Sequence, residues 1–153
     1  MRANRSVPAS SDVPVLVYPD VPAAREWLCD AFGFRERLRI GDHRAQLVYG
    51  NGAVILTQGQ GAPSNVHVRV EHAAAHRDRA RAHGARIASE PTDYPYGERQ
   101  YTAVDPGGHR WTFSESIADV DPASWGGTPA EDDVTDWISV FSAPDDPDVM
   151  QER

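Results

Sequence analysis

The chain has 153 residues, of which 40% are hydrophobic and 25% charged, with a formal net charge of −8; that is enough for one domain with a real core and too little for two large ones. No apolar run approaches the roughly 20 residues that span a bilayer, and the polar segment 1–12 lacks the apolar stretch of a signal peptide, so a cytoplasmic protein without membrane contact is expected. The acidity is local: 14 arginines stand against 13 acids through Ser116, and one arginine against ten acids from Ile117 onward, which leaves no basic stripe for a nucleic acid.

The first patterned run, Val13 to Tyr18, reads as a strand. Asp20 then stands where a helix cap is needed, with Pro22 tolerated in the first turn. Ala24, Trp27, Leu28 and Ala31 follow at i, i+3, i+4 and i+7, an apolar stripe suited to lie on a sheet. Gly33 ends the helix. The lone Cys29 falls on it, excludes an internal disulfide and is expected to be a buried, inert thiol. Arg35–Ile40 alternates weakly, Gly41-Asp42 turns, Ala45–Tyr49 returns, and Asn51-Gly52 marks a hairpin before Ala53–Thr57. The basic residues of Arg35-Glu36-Arg37-Leu38-Arg39 read as the solvated outer face of a strand.

Val66 to Val70 opens a second passage of the same kind. An Ala- and Arg-rich helix from His72 to His83 follows, whose buried face must be small, and Gly84 ends it. His76 and His83 read as surface residues. Ala85–Ala88 reads as a short strand and Ser89 to Gly97, with Pro91 and Pro95, as a loop. Two strands, Arg99–Val104 and His109–Ser114, flank the turn Asp105-Pro106-Gly107-Gly108. Val66 and Gly84 lie 51 positions after Val15 and Gly33, while Gly108 lies 56 after Gly52. The second copy therefore carries about five extra residues, placed in the Ser89 to Gly97 loop. A strand–helix–strand–strand–strand unit written twice predicts an α+β fold of two βαβββ modules, 13–58 and 64–116. An N-terminal extension, 1–12, precedes them and an acidic, Pro-rich tail, 117–153, follows. The tail has a disordered composition. Its large apolar groups nevertheless predict that Trp125 or the Trp137–Phe141 segment folds back over the core.

In this setting three short motifs are specific: Phe32-Gly33-Phe34 after the first helix, Gly97-Glu98-Arg99 before the penultimate strand, and Asp105-Pro106-Gly107-Gly108-His109-Arg110-Trp111 in the last hairpin. On them the chain, over roughly Val13 to Glu115, resembles the vicinal oxygen chelate superfamily of glyoxalase I, extradiol dioxygenases and bleomycin resistance proteins. Its second half is most similar to the PhnB-like, glyoxalase-like group. The resemblance implies curled mixed sheets whose open cups hold small molecules, and very often a homodimer.

Metal-dependent members of that superfamily place one His or Glu ligand on each of the first, fourth, fifth and eighth strands. Aligned through the helix-entry acids, Leu56-Thr57 and the Asp-Pro turn, those positions fall on Val13, Ile55, Asn65 and Thr112. None is a usual ligand for a transition metal, which wants three or four imidazole, thiolate or carboxylate groups converging. A shift of two residues would bring in His67. The remaining candidates, His43, His67, His109, Glu98 and Glu115, show no ligand spacing within one element. No metal and no cofactor are expected.

Alternation assigns the cup lining. Asn65, His67 and Arg69 face one way on the fifth strand, and Val66, Val68 and Val70 pack the other way. On the eighth strand Trp111 and Phe113 pack beneath the helices and leave Arg110, Thr112 and Ser114 to the cup. Val13, Val15 and Val17 give it an apolar wall. Arg99 and Tyr101 share one face of the seventh strand and are candidates for the same lining. Arginines near one wall suit a carboxylate or phosphonate; pairing with Glu71, Glu98 or Glu115 at the rim is the competing reading. Three functions stay open. The leading one is a metal-independent protein that binds a partly apolar ligand with an acidic group. The second is a superfamily enzyme, either a metal-dependent lyase, isomerase or dioxygenase, or a metal-free isomerase with His67 as catalytic base. The third is a scaffold with vestigial cups.

Overall fold

Each half of the chain folds as its pattern dictates. β1 (Val15–Tyr18) leads into α1 (Val21–Phe32). A side-chain oxygen of Asp20 accepts the Ala23 N–H at 3.1 Å, and Gly33 closes the helix at a φ of 83°, a left-handed conformation that glycine adopts without strain. β2 (Arg35–Ile40), β3 (Arg44–Tyr49) and β4 (Gly52–Gln58) complete the unit. The second copy consists of β5 (Asn65–Arg69), α2 (Ala73–Ala82), β6 (Arg86–Tyr94), β7 (Glu98–Val104) and β8 (Arg110–Ser116). The computed structural model describes residues 2–130.

The two sheets repeat one topology, β1-β4-β3-β2 and β5-β8-β7-β6. In each, the first and last strands of the unit pair in parallel and the other pairs are antiparallel. The architecture is the expected α+β pair of βαβββ modules. By packing, the described residues divide into two units, 2–94 with 98–117, and 95–97 with 118–130.

β6 differs from its expectation. It does not stop at Ala88 but runs nine residues to Tyr94, straight through Pro91. The strand lies at the edge of its sheet, where a residue without an N–H breaks no ladder on the open side. Its register slips between Ile87 and Ser89 and again between Ser89 and Thr92. The extra residues of the second copy are thus absorbed as bulges within a strand, not as a loop.

Both modules share one core. Phe32 at the end of α1 meets Trp111 and Phe113 of β8 with ring centroids 5.4 and 4.8 Å apart, and Phe34 meets Trp111 at 5.4 Å. Ala73 and Ala80 of α2 are fully buried in the same cluster, as a small-faced helix requires. The helix-bearing sides of both sheets therefore turn toward each other, and the opposite, open faces turn outward. Full burial of side chains such as Phe32, Phe113, Leu28 and Leu56 stabilises the fold by about 1.5–3 kcal/mol each relative to exposure.

Two histidines fasten one module to the other. Buried His109 accepts the Ser64 N–H at Nδ1 (2.8 Å), so its proton sits on Nε2, 2.7 Å from the Val17 carbonyl. His76 is not the surface residue that its Arg-rich helix predicted. It is half-buried between the Tyr101 hydroxyl and the Phe32 carbonyl, the latter 2.8 Å from Nε2. With Nε2 donating to that carbonyl, Nδ1 accepts from Tyr101. Burial holds this imidazole below its ordinary value of 6.5 and the Arg79 charge lowers it further, against the opposing Phe32 bond.

The second unit contains the short 3-10 helix Pro122–Trp125. In it Trp125, 46% exposed, lies with its ring centroid 5.3 Å from that of Tyr96. The Trp137–Phe141 segment lies outside the described residues.

Candidate functional site

The open face of the second sheet is built from the paired strands β5 and β8. Asn65 lies opposite Arg110, His67 opposite Thr112 and Arg69 opposite Ser114. Asn65, His67, Arg69 and Arg110 are exposed and Thr112 is half-buried, whereas Val66, Val68, Trp111 and Phe113 turn into the core. Five of the predicted lining residues thus stand together on one surface.

Two do not. Arg99 and Tyr101 share a face of β7, but it is the helix side, because Tyr101 pairs with Phe113 and Arg99 with Glu115. Tyr101 is fully buried and donates to His76. Burial, then the neighbouring Tyr49, pushes its hydroxyl far above the ordinary range. Arg99 forms a two-pronged ion pair with Asp93, at 2.6 and 3.1 Å. Neither belongs to the lining. Both faces of β7 begin with polar residues, Glu98 and Gln100 on one and Arg99 on the other. Alternation could therefore group Arg99 with Tyr101, but the register with β8 was needed to orient them.

The residues of β7 that do reach the open face are Glu98, which the sequence marked as a rim acid, and Gln100 and Thr102, which it left unmarked. Ser114 donates to Glu98 at 2.7 Å and receives the Gln100 amide at 3.1 Å. Thr102 and Thr112 hydroxyls lie 3.1 Å apart, and Arg69 donates to the Ser116 hydroxyl at 2.8 Å. Ser114 is itself fully buried, so the floor of this face is a satisfied polar network with Asn65, His67 and Arg110 standing beside it. Glu115 lies on the helix side and accepts the Ala73 N–H at 2.8 Å, capping α2.

The metal positions shift by one level on each sheet. Ile55 pairs with Val15 rather than standing level with Val13, and Thr112 pairs with His67 rather than with Asn65. The matched open-face positions are Val15, Ile55, His67 and Thr112, which offer one imidazole and no carboxylate. Among the described residues no three His, Cys, Asp or Glu side chains converge as a metal site requires. The residues present do not fit the metal of glyoxalase-type enzymes. Elsewhere, His43 and His83 are exposed, and Cys29 is half-buried rather than buried. Burial raises the Cys29 thiol, helped by Glu36 and Asp30, which keeps it protonated and unreactive.

Paired βαβββ modules with outward open faces define a cup-building, small-ligand class of fold. The family model described as Glyoxalase/Bleomycin resistance protein/Dioxygenase superfamily matches residues 11–113, and the chain belongs to that superfamily. Among solved structures, TioX from Micromonospora sp. ML1 is similar at 34% identity with a TM-score of 0.65, over 71% of this chain and 100% of its own. The bleomycin-binding protein of bleomycin-producing Streptomyces verticillus, solved with copper(II)-bleomycin, is 20% identical with a TM-score of 0.57, over 68% of this chain and 93% of its own. Lactoylglutathione lyase from Agrobacterium tumefaciens is 17% identical with a TM-score of 0.60, over 78% and 98%. No curated protein matches the chain. No helix among the described residues is long and apolar enough to cross a membrane.

Proposed function

We propose that the protein is a metal-independent, cytoplasmic small-molecule binding protein whose open faces take a partly apolar ligand bearing an acidic group. The carrying observation is the pairing of Asn65 with Arg110 and of His67 with Thr112 on exposed, adjacent strands. An arginine beside an amide and an imidazole offers charge-assisted and neutral donors within one ligand's reach of each other. The open face of the first sheet adds the apolar wall, with Val15 49% and Ile40 44% exposed. The protein acts as a homodimer in which the apolar face of one copy closes over the polar face of the other. Outward-turned faces with exposed large apolar residues support that arrangement.

The test is a thermal-shift screen of acidic aromatic metabolites and antibiotics, with sedimentation analysis of the hits and elemental analysis of protein purified without chelator or affinity metal. Stabilisation by acidic ligands in a metal-free dimer is expected. Near-stoichiometric transition metal, or turnover of a hit that His67→Ala abolishes, would overturn it in favour of an enzyme.

A further inference from the structure

The open face of the first sheet is not bare, because the chain's own N-terminus crosses it. Ser10 donates its hydroxyl to the Asn51 carbonyl at the β3–β4 hairpin, 2.7 Å away. The Ser6 carbonyl accepts the Gln46 side-chain amide at 2.9 Å, in the middle of β3. The Arg5 carbonyl accepts Nη2 of Arg37 on β2, also at 2.9 Å. Between these anchors Pro8 is buried. The segment therefore runs from the start of β1 across the sheet to its far edge. Gln46 and Ala53 point away from the helices, yet are only 4% and 6% exposed.

The receiving groups form a wired pair. Arg37 is the extra residue at the register slip between Glu36 and Leu38, and such a bulge re-aims a side chain. It brings the guanidinium over Gln46, where Nη1 donates to Oε1 at 2.7 Å. That bond fixes the amide so that its NH2 points at the incoming carbonyl. Two donors thus stand in the middle of this face, and both are spent on main-chain oxygens of the chain's own strap. Pro8 has no N–H to leave unsatisfied when buried, so the strap lies down at little polar cost.

We propose that residues 5–8 are a displaceable strap that holds the place of a ligand on the first module, and that Arg37 and Gln46 receive a carbonyl, amide or carboxylate oxygen of that ligand. This rests on the binding reading above and adds a second polar anchor to it. A strap tethered this closely competes at an effective concentration of roughly millimolar order. A free molecule offering the same carbonyls at millimolar concentration competes with it, and one that also gains the apolar wall displaces it at lower concentration.

Limited trypsin digestion of the full chain tests this with an internal control, because Arg2 lies ahead of the anchors and Arg5 is held. Cleavage after Arg5 is expected to be at least about tenfold slower than after Arg2. Pro8→Asp, which frees the strap without touching the sheet, should bring the two rates together and raise binding of an apolar fluorescent dye several-fold. Arg37→Ala with Gln46→Ala should also bring the rates together. The blocked peptide acetyl-seryl-valyl-proline amide at millimolar concentration should speed cleavage after Arg5 and leave Arg2 unchanged. Equal cleavage at both sites in the unaltered protein would overturn the strap, and a peptide without effect would overturn its displacement by ligand. Release of Arg5 by the peptide with no hit in the thermal-shift screen would instead sink the binding reading alone, and hits that leave Arg5 protected would sink the strap alone.

Discussion

Tyr18 of β1 donates its hydroxyl to the Asp105 carboxylate at 2.5 Å, across 87 positions of sequence and from one module to the other. The same oxygen of Asp105 accepts the Trp111 indole N–H at 2.9 Å, and its second oxygen accepts the Gly107 and His109 backbone N–H groups at 2.9 and 3.0 Å. One carboxylate thus satisfies four donors at a buried joint. Burial, then the Asp105 charge, keeps the Tyr18 hydroxyl protonated far above its ordinary range. The Asp-Pro-Gly-Gly turn is more than a hairpin tip, because it fastens the last strand pair to the first strand. Asp105→Ala would leave those donors unpaired, and buried orphans cost about 1–3 kcal/mol each. A loss of about 3 kcal/mol or more is expected by urea unfolding. Tyr18→Phe should cost about 1–3 kcal/mol, and the two changes should be strongly non-additive because they remove one network.

Gly107 supplies a separate check on that joint. A Cβ there would sit 2.7 and 2.8 Å from ring atoms of Tyr18, and this ring is buried and held by its hydroxyl. Gly107→Ala is therefore expected to destabilise by about 1–3 kcal/mol through overpacking. Combining it with Tyr18→Leu, which takes the ring away, should recover part of that loss. Equal losses in both backgrounds would show that the clash is not the cause.

His76 makes stability depend on pH. Its folded-state value lies below its ordinary 6.5, so below that pH the unfolded chain binds more protons than the folded one. The stabilisation is whole above about pH 6.5 and is lost as pH falls through the depressed folded value. His76→Asn removes the titration and the bonds to Tyr101 and Phe32, and should cost about 1–3 kcal/mol at pH 7.5. The gap between native protein and variant should narrow steadily toward pH 5. A gap that stays constant with pH would mean that the imidazole is not held neutral.

The duplicated unit was legible because its punctuation is chemical. Asp20, Gly33, Asn51-Gly52 and Gly84 mark their turns whatever surrounds them, and apolar alternation sorts a strand wherever one face is buried. That is why Asn65, His67 and Arg69 separate from Val66 and Val68 in the sequence. β7 has polar groups on both faces, so Arg99 and Tyr101 were grouped correctly but could not be oriented without the partner strand. His76 was hidden by its neighbours Arg77, Arg79 and Arg81, whose pattern describes a solvated helix. Arg37 was hidden by a bulge, which breaks the alternation that would have placed it. The N-terminal strap left no periodic mark at all, because it is held by carbonyls, and every residue has one.

The assignment of faces separates two arginines that sequence alone could not. Arg110 stands on the open face opposite Asn65, while Arg99 lies on the helix side in an ion pair with Asp93. If an acidic ligand docks against the second sheet, Arg110→Ala removes a charge-assisted bond, worth about 1.5–3 kcal/mol. Affinity for the best acidic hit should then fall roughly tenfold to 150-fold by calorimetry. Asn65→Ala should weaken binding less, by the smaller cost of a neutral hydrogen bond. Arg99→Ala should leave affinity within about a factor of two, although it removes the same formal charge from the same module. Equal losses for Arg99 and Arg110 would mean that the ligand responds only to net charge, and the cup would not be its binding site. A loss confined to Arg110 and Asn65, with affinity rising at low salt in the native protein but much less in Arg110→Ala, would locate the acidic group between β5 and β8.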